Sequence, residues 1–223
     1  MYILAIDQGT TGTTVLAVDP DGHVAGQAYR SFRQIYPRPG WVEHDPDEIW
    51  RTVRDGAEEV VARLDGPVAA VGITNQRETV VAWDRSTGMP LHNAIVWQCR
   101  RTVSLCERLA SSEQVVRQLT GLRLDPYFSG TKIRWLLDAL DPVDPARLAV
   151  GTIDSWLLWK MTAGGVHATD YTNASRTLLF DIHRREWSPE LCGLLNVPPE
   201  VLPEVRNSAG FFGEIATLEC LRG

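Results

Sequence analysis

Residues 7–14, Asp-Gln-Gly-Thr-Thr-Gly-Thr-Thr, set one carboxylate, two glycines and four threonines within eight positions. Gly9 and Gly12 let the backbone come close to a ligand, the threonine hydroxyls add donors, and Asp7 offers a carboxylate to a hydrated cation. These are the parts of a nucleotide-phosphate clasp. Composition alone equally allows a threonine-rich hairpin turn. The glycines are spaced G-x-x-G and a strand-like run follows them, so neither the dinucleotide fingerprint G-x-G-x-x-G nor the P-loop G-x-x-x-x-G-K-[ST] is present.

The elements that must position this loop are short and apolar. Tyr2 to Ile6 and Val15 to Val18 read as strands on either side of a hairpin tip spanning Asp7 to Thr14, and Val24 to Phe32 reads as a third strand. The spacing predicts that all three are antiparallel. A helix is predicted over 46–64: Asp45 is the N-cap candidate, Pro46 suits the first position, Glu48 stands three residues after the cap, and Ile49, Val53, Ala57, Val60, Val61 and Leu64 form one apolar stripe. Ala69 to Thr74 is a buried-strand candidate with Thr79 to Trp83 as its neighbour, and Asn93 to Trp97 is a further short strand. Helices are expected at 98–110, 113–119, 129–140 and 153–161. The order of strands and helices makes this an α/β chain with a mixed central sheet and flanking helices.

The totals bound the function. A chain of 223 residues that is 44% hydrophobic and has eight Trp can bury a large core. Its net charge of −6 argues against a general nucleic-acid or anionic-membrane surface, which would need a clustered basic face. Small molecules or proteins are the expected partners. Four cysteines without a CxxC pair read as incidental thiols in a reducing compartment. No apolar stretch nears the roughly 20 residues of a membrane span. A cytoplasmic protein is expected.

Seven segments, DQGTT, PGWVEHDPDEIW, GITNQRET, NAIVWQCRR, DPYFSGTK, GTIDSWLLWKM and TDYTNASRTLLFDI, occur in an order that resembles the N-terminal domain of the glycerol kinases, in the FGGY carbohydrate kinase family. The likeness runs from residue 2 to about 206. It implies a ribonuclease H-like domain of the actin and hexokinase group, ATP and Mg²⁺ as cofactors, glycerol as substrate, sn-glycerol 3-phosphate as product, and a homo-oligomer. By the resemblance Asp7 is a catalytic residue that holds Mg²⁺ through water. Thr10, Thr11, Gly12 and Thr14 are nucleotide-binding, although the family often carries Arg where Thr14 stands. Arg77, Glu78, Trp97 and Tyr127 match the glycerol contacts. Arg offers donors and Glu acceptors, so Arg77 and Glu78 suit successive hydroxyls, with Trp97 as an apolar wall and Tyr127 supplying a hydroxyl.

The family's proposed base is the Asp of a G-D-Q-Q motif, which does not occur here. Residues 1–206 are therefore expected to form the N-terminal domain and 207–223 the start of a connection to a second domain, the isolated chain being inactive. Two other readings stay open: a non-catalytic interaction domain, and a sibling kinase for another polyol or a pentose.

Overall fold

The computed structural model describes residues 1–140 and 144–221. The first sheet is built from β1 (Tyr2–Gln8), β2 (Gly12–Val18) and β3 (Val24–Ser31), which meander antiparallel as expected. Next come β4 (Glu43–His44), α1 (Pro46–Val61) and β5 (Val68–Asn75), and β5 pairs parallel with β1. The sheet order is β3-β2-β1-β5, a mixed sheet. Inward residues such as Leu4, Ile6, Val15 and Ala17 are buried against Ile49, Val53, Ala57 and Val60 of α1, the face that helical spacing predicts.

The Asp45 side chain accepts hydrogen bonds from the backbone N–H groups of Asp47 and Glu48, so it caps α1, and Pro46 fills the first position. The Glu48 carboxylate turns instead to the N–H of Arg33, at 3.1 Å, and so ties α1 to the segment after β3. The helix ends at Val61, three residues short of the predicted 64, as the chain tightens through Arg63 N–H to Val60 O and Leu64 N–H to Val61 O. Asp45→Ala should destabilise the chain by about 0.5–2 kcal/mol through the lost cap, as read by urea denaturation.

Thr79 to Trp83 does not neighbour β5. After β5 the Gln76 N–H still bonds Gln8 O of β1, at 2.7 Å, but Glu78 adopts φ 65°, and this left-handed residue turns the chain out of the first sheet. The next strand, β6 (Val80–Asp84), joins a second, antiparallel sheet of order β4-β7-β6-β8, with β7 at Ala94–Ile95 and β8 at Leu148–Thr152. Between β7 and β8 lie α2 (Val103–Arg108), α3 (Glu113–Thr120) and α4 (Ser129–Ala139), and α5 (Ile153–Met161) follows β8. The helix expected at 98–110 survives only as α2. Residues 98–102 form turns in which Arg100 pairs with Asp125, buried Arg101 with Glu43, and Thr102 shares a hydroxyl hydrogen bond with Thr131.

The remaining elements are β9 (Ala168–Asp170), α6 (Tyr171–Ala174), β10 (Phe180–Asp181), β11 (Glu186–Trp187), α7 (Pro189–Leu195) and β12 (Glu204–Arg206), which pairs parallel with β9. Two apolar cores result. The first lies under the β3-β2-β1-β5 sheet, against α1 and α5. The second gathers β6, β8, α4 and α7. Beyond Arg206, Leu218 is buried in the first core, and the Thr217 hydroxyl donates to Lys160 O. Among the described residues no helix is long and apolar enough to cross a membrane.

Candidate active site

Because β1 and β5 are parallel and in register, their C-terminal ends meet. Asp7 lies level with Thr74 and Gln8 with Asn75, so Arg77 and Glu78 emerge beside the hairpin tip. The carboxyl ends of parallel strands are where open α/β sheets bind ligands. The tip itself is only Gly9 to Thr11, shorter than expected. Asp7 and Thr14 already face each other across the β1–β2 ladder, and the Gly9 N–H closes the turn on Gly12 O at 2.9 Å. Gly12 is needed here because a Cβ would stand 2.7 Å from the Arg30 carbonyl and 2.4 Å from the Tyr29 hydroxyl. Asp7 and Thr11 are exposed and Thr10 and Thr14 half-buried, whereas Thr13 is buried and shares a hydroxyl hydrogen bond with Thr52 of α1. The exposed Asp7 carboxylate is a hard oxygen ligand, which suits a cation such as Mg²⁺ that keeps several waters.

Trp97 borders two features at once. Its indole Nε1 donates to Thr10 Oγ1 at 3.0 Å, and its ring meets Tyr127 with centroids 5.4 Å apart. From there a chain of polar contacts runs beneath the hairpin. Trp97 N donates to Thr79 Oγ1, Thr79 Oγ1 to Gln76 Oε1, and Gln76 Nε2 reaches Gly9 O, Gln8 Oε1 and His44 Nδ1. His44 Nε2 lies 2.8 Å from Gln34 Oε1, and Gln34 Nε2 donates to Thr10 O, which closes a ring at the residue where it began. Burial pushes the His44 pKa down to about 4, so the imidazole is neutral at pH 7, and its partners assign the proton to Nε2. The ring fixes the hairpin tip against the Trp97 wall.

Glu78 is buried, and its Oε1 accepts from Arg176 Nε at 2.7 Å. Arg77 is exposed and lines a groove of about 1260 Å³ along β5, together with Asn75, Asp154, Asp170 and Asn173. Asp154 is pushed up to about 6 by burial, against the hydroxyls of Thr152 and Thr169 that donate to it. Tyr127 is half-buried and its segment is anchored from below. Buried Lys132 Nζ donates to the carbonyls of Pro126, Tyr127 and Phe128, and burial pushes its pKa down to about 7. Gly130 lets α4 start against the 176–178 backbone, since a Cβ there would lie 2.5 Å from Thr177 O.

Sequence reasoning gave no role to Gln34, His44, Gln76, Lys132 or Arg176. His44, Gln76, Lys132 and Arg176 stand inside segments that carry the resemblance and Gln34 outside them, but polar residues acting from beneath leave no spacing signal.

A mixed sheet whose first hairpin forms a threonine-lined loop at the carboxyl end of its parallel pair belongs to the actin and hexokinase class of phosphate-handling domains. The match is specific: residues 2–219 fit the FGGY family of carbohydrate kinases, N-terminal domain. The chain belongs to that family. It is 50% identical over 222 residues to the glycerol kinase of Enterobacter sp. (strain 638) and 52% to that of Shigella flexneri, in each case over 96% of this chain and 44% of the relative. Among solved structures, Plasmodium falciparum glycerol kinase with ADP superposes with a TM-score of 0.90 at 34% identity, over 99% of this chain and 46% of that one. A gluconate kinase from Lactobacillus acidophilus, at 22% identity and a TM-score of 0.87, shares the fold. The chain thus spans less than half the length of the curated relatives it matches.

Proposed function

We propose that this chain is the glycerol-binding, phosphate-clasping N-terminal domain, residues 1–206 with 207–223 as its connection, of a cytosolic enzyme that phosphorylates glycerol with ATP to sn-glycerol 3-phosphate. The observation that carries the reading is Trp97, whose indole N–H donates to Thr10 of the hairpin tip while its ring packs against Tyr127. This contact supports a reading in which the clasp at Thr10 and a glycerol wall of Trp97 and Tyr127 adjoin, so that a hydroxyl acceptor and a phosphoryl donor would lie within reach of each other, as phosphoryl transfer requires. The identity to glycerol kinases supports glycerol over sibling sugars.

In this reading Thr10, Thr11, Gly12 and Thr14 hold the nucleotide phosphates, Arg77 donates to one hydroxyl of the triol and Glu78 accepts from the next. Trp97 and Tyr127 keep water from the attacking 3-hydroxyl. Asp7 would hold Mg²⁺, and the ion when bound would supply neutralisation of phosphate charge.

In a full-length enzyme containing this domain, Arg77→Ala should weaken glycerol binding by about 1.5–3 kcal/mol, the scale of a hydrogen bond to a charged group. Glycerol titration compared with xylulose and gluconate checks both the variant and the substrate. Saturable binding of a sugar in preference to glycerol would replace this reading with the sibling-kinase one.

A further inference from the structure

We infer that Arg176 is the positioning residue of the polyol pocket: it orients the Glu78 carboxylate and ties it to the aromatic wall. The inference rests on the reading of Glu78 as a hydroxyl acceptor given above.

Glu78 has two features that need outside support. Its carboxylate side chain is only 3% exposed, and a buried charge without a partner is strongly unfavourable. Its backbone is left-handed, a conformation that a residue other than glycine keeps only when its surroundings over-determine it. One support is the Ser129 hydroxyl, which donates to Glu78 O at 3.2 Å. The other is Arg176, whose Nε takes Oε1 at 2.7 Å and leaves Oε2 for a ligand hydroxyl.

Arg176 is well placed to set a direction. Its N–H bonds Asn173 O and its carbonyl accepts from Ser129 N, so its own backbone is locked to α6 and to the start of α4. Its guanidinium carbon lies 4.8 Å from the Phe128 ring centroid and 5.9 Å from that of Tyr127. A single planar cation therefore contacts both the acceptor and the residues flanking the wall. Lys132 also acts on Glu78 through its charge, but its Nζ is occupied by three carbonyls and has no hydrogen bond to the carboxylate.

The test uses the 223-residue chain labelled with ¹⁵N. Glycerol and ADP are titrated separately while the Trp97 indole N–H signal is followed. Arg176→Met should weaken glycerol binding about tenfold or more and leave ADP affinity within about twofold, and Arg176→Lys should recover part of the loss. In a Glu78→Gln background Arg176→Met should add less than about threefold, because its effect passes through Glu78. Unchanged glycerol affinity in Arg176→Met, an equal loss for ADP, or a full effect persisting without the Glu78 carboxylate would overturn the assignment. If an active kinase containing this domain shows no saturable response to glycerol, it is the glycerol reading that fails. The Arg176–Glu78 assignment is then decided by denaturation of the unsubstituted chain, Arg176→Met, Glu78→Gln and the double variant. Non-additive single substitutions support the pairing, and additive ones refute it.

Discussion

Asp7→Asn should cut phosphoryl transfer by about 10²- to 10³-fold, the scale seen when one preorganised electrostatic contact to a reacting centre is removed. The exchange keeps the shape of the side chain and deletes only its charge. Asp7 is exposed between the buried residues Ile6 and Gln8, and its backbone pairs on both sides with β2 and β5. The melting temperature should therefore stay within about a degree of that of the unsubstituted chain. Transfer is to be measured in an active kinase containing this domain. A second readout needs no turnover: ADP affinity of the 223-residue chain with and without Mg²⁺. The Mg²⁺-dependent gain should largely vanish in Asp7→Asn while Mg²⁺-free affinity holds. Should the gain persist, Asp7 is a strand-end carboxylate and the cation is held elsewhere.

The elements that a local pattern defines were legible in the sequence. The three-stranded meander follows from short apolar runs between turn residues, and α1 from an N-cap, a proline at the first position and one unbroken stripe. What sequence could not show is where a strand goes next. Val80 to Trp83 is an unbroken apolar run, so its pattern fits either sheet, and the left-handed turn at Glu78 that sends it to the second is invisible because Glu carries no glycine-like signal. Glu48 likewise sits at the position of a capping-box partner yet bonds Arg33, a choice made by tertiary proximity.

The site divides in the same way. The candidate loop residues rest on their types, and the candidate contacts Arg77, Glu78, Trp97 and Tyr127 on the resemblance. The ring through Gln34, His44 and Gln76 joins residues far apart in the chain, each unremarkable alone. Such networks are specified by mutual satisfaction of buried donors and acceptors, which no single window of sequence contains.

The largest stability effect should come from Trp83. This residue is fully buried on β6, with ring centroids 5.4 Å from Trp156, 5.9 Å from Trp159 and 5.1 Å from His167. Its strand is buried on both faces: Val81 and Trp83 belong to the first core, Val80 and Ala82 to the second. Trp83 thus joins the second sheet to the core under the first. Trp83→Ala should destabilise by about 3–5 kcal/mol, since the indole packs among α5 side chains that cannot collapse into the space it leaves. Trp83→Phe should behave differently. The Trp83 Nε1 is buried and has no hydrogen-bond partner among the described residues, so the native state already carries the desolvation cost of that donor, about 1–3 kcal/mol. Phenylalanine keeps the aromatic edge contacts and removes the unsatisfied N–H, and the two effects should leave a net loss below about 1.5 kcal/mol. Urea denaturation of the three proteins, read at constant m value, makes the comparison. If phenylalanine proves as damaging as alanine, the indole N–H has a partner in solution, such as an ordered water, and the joint between the two cores is polar as well as packed.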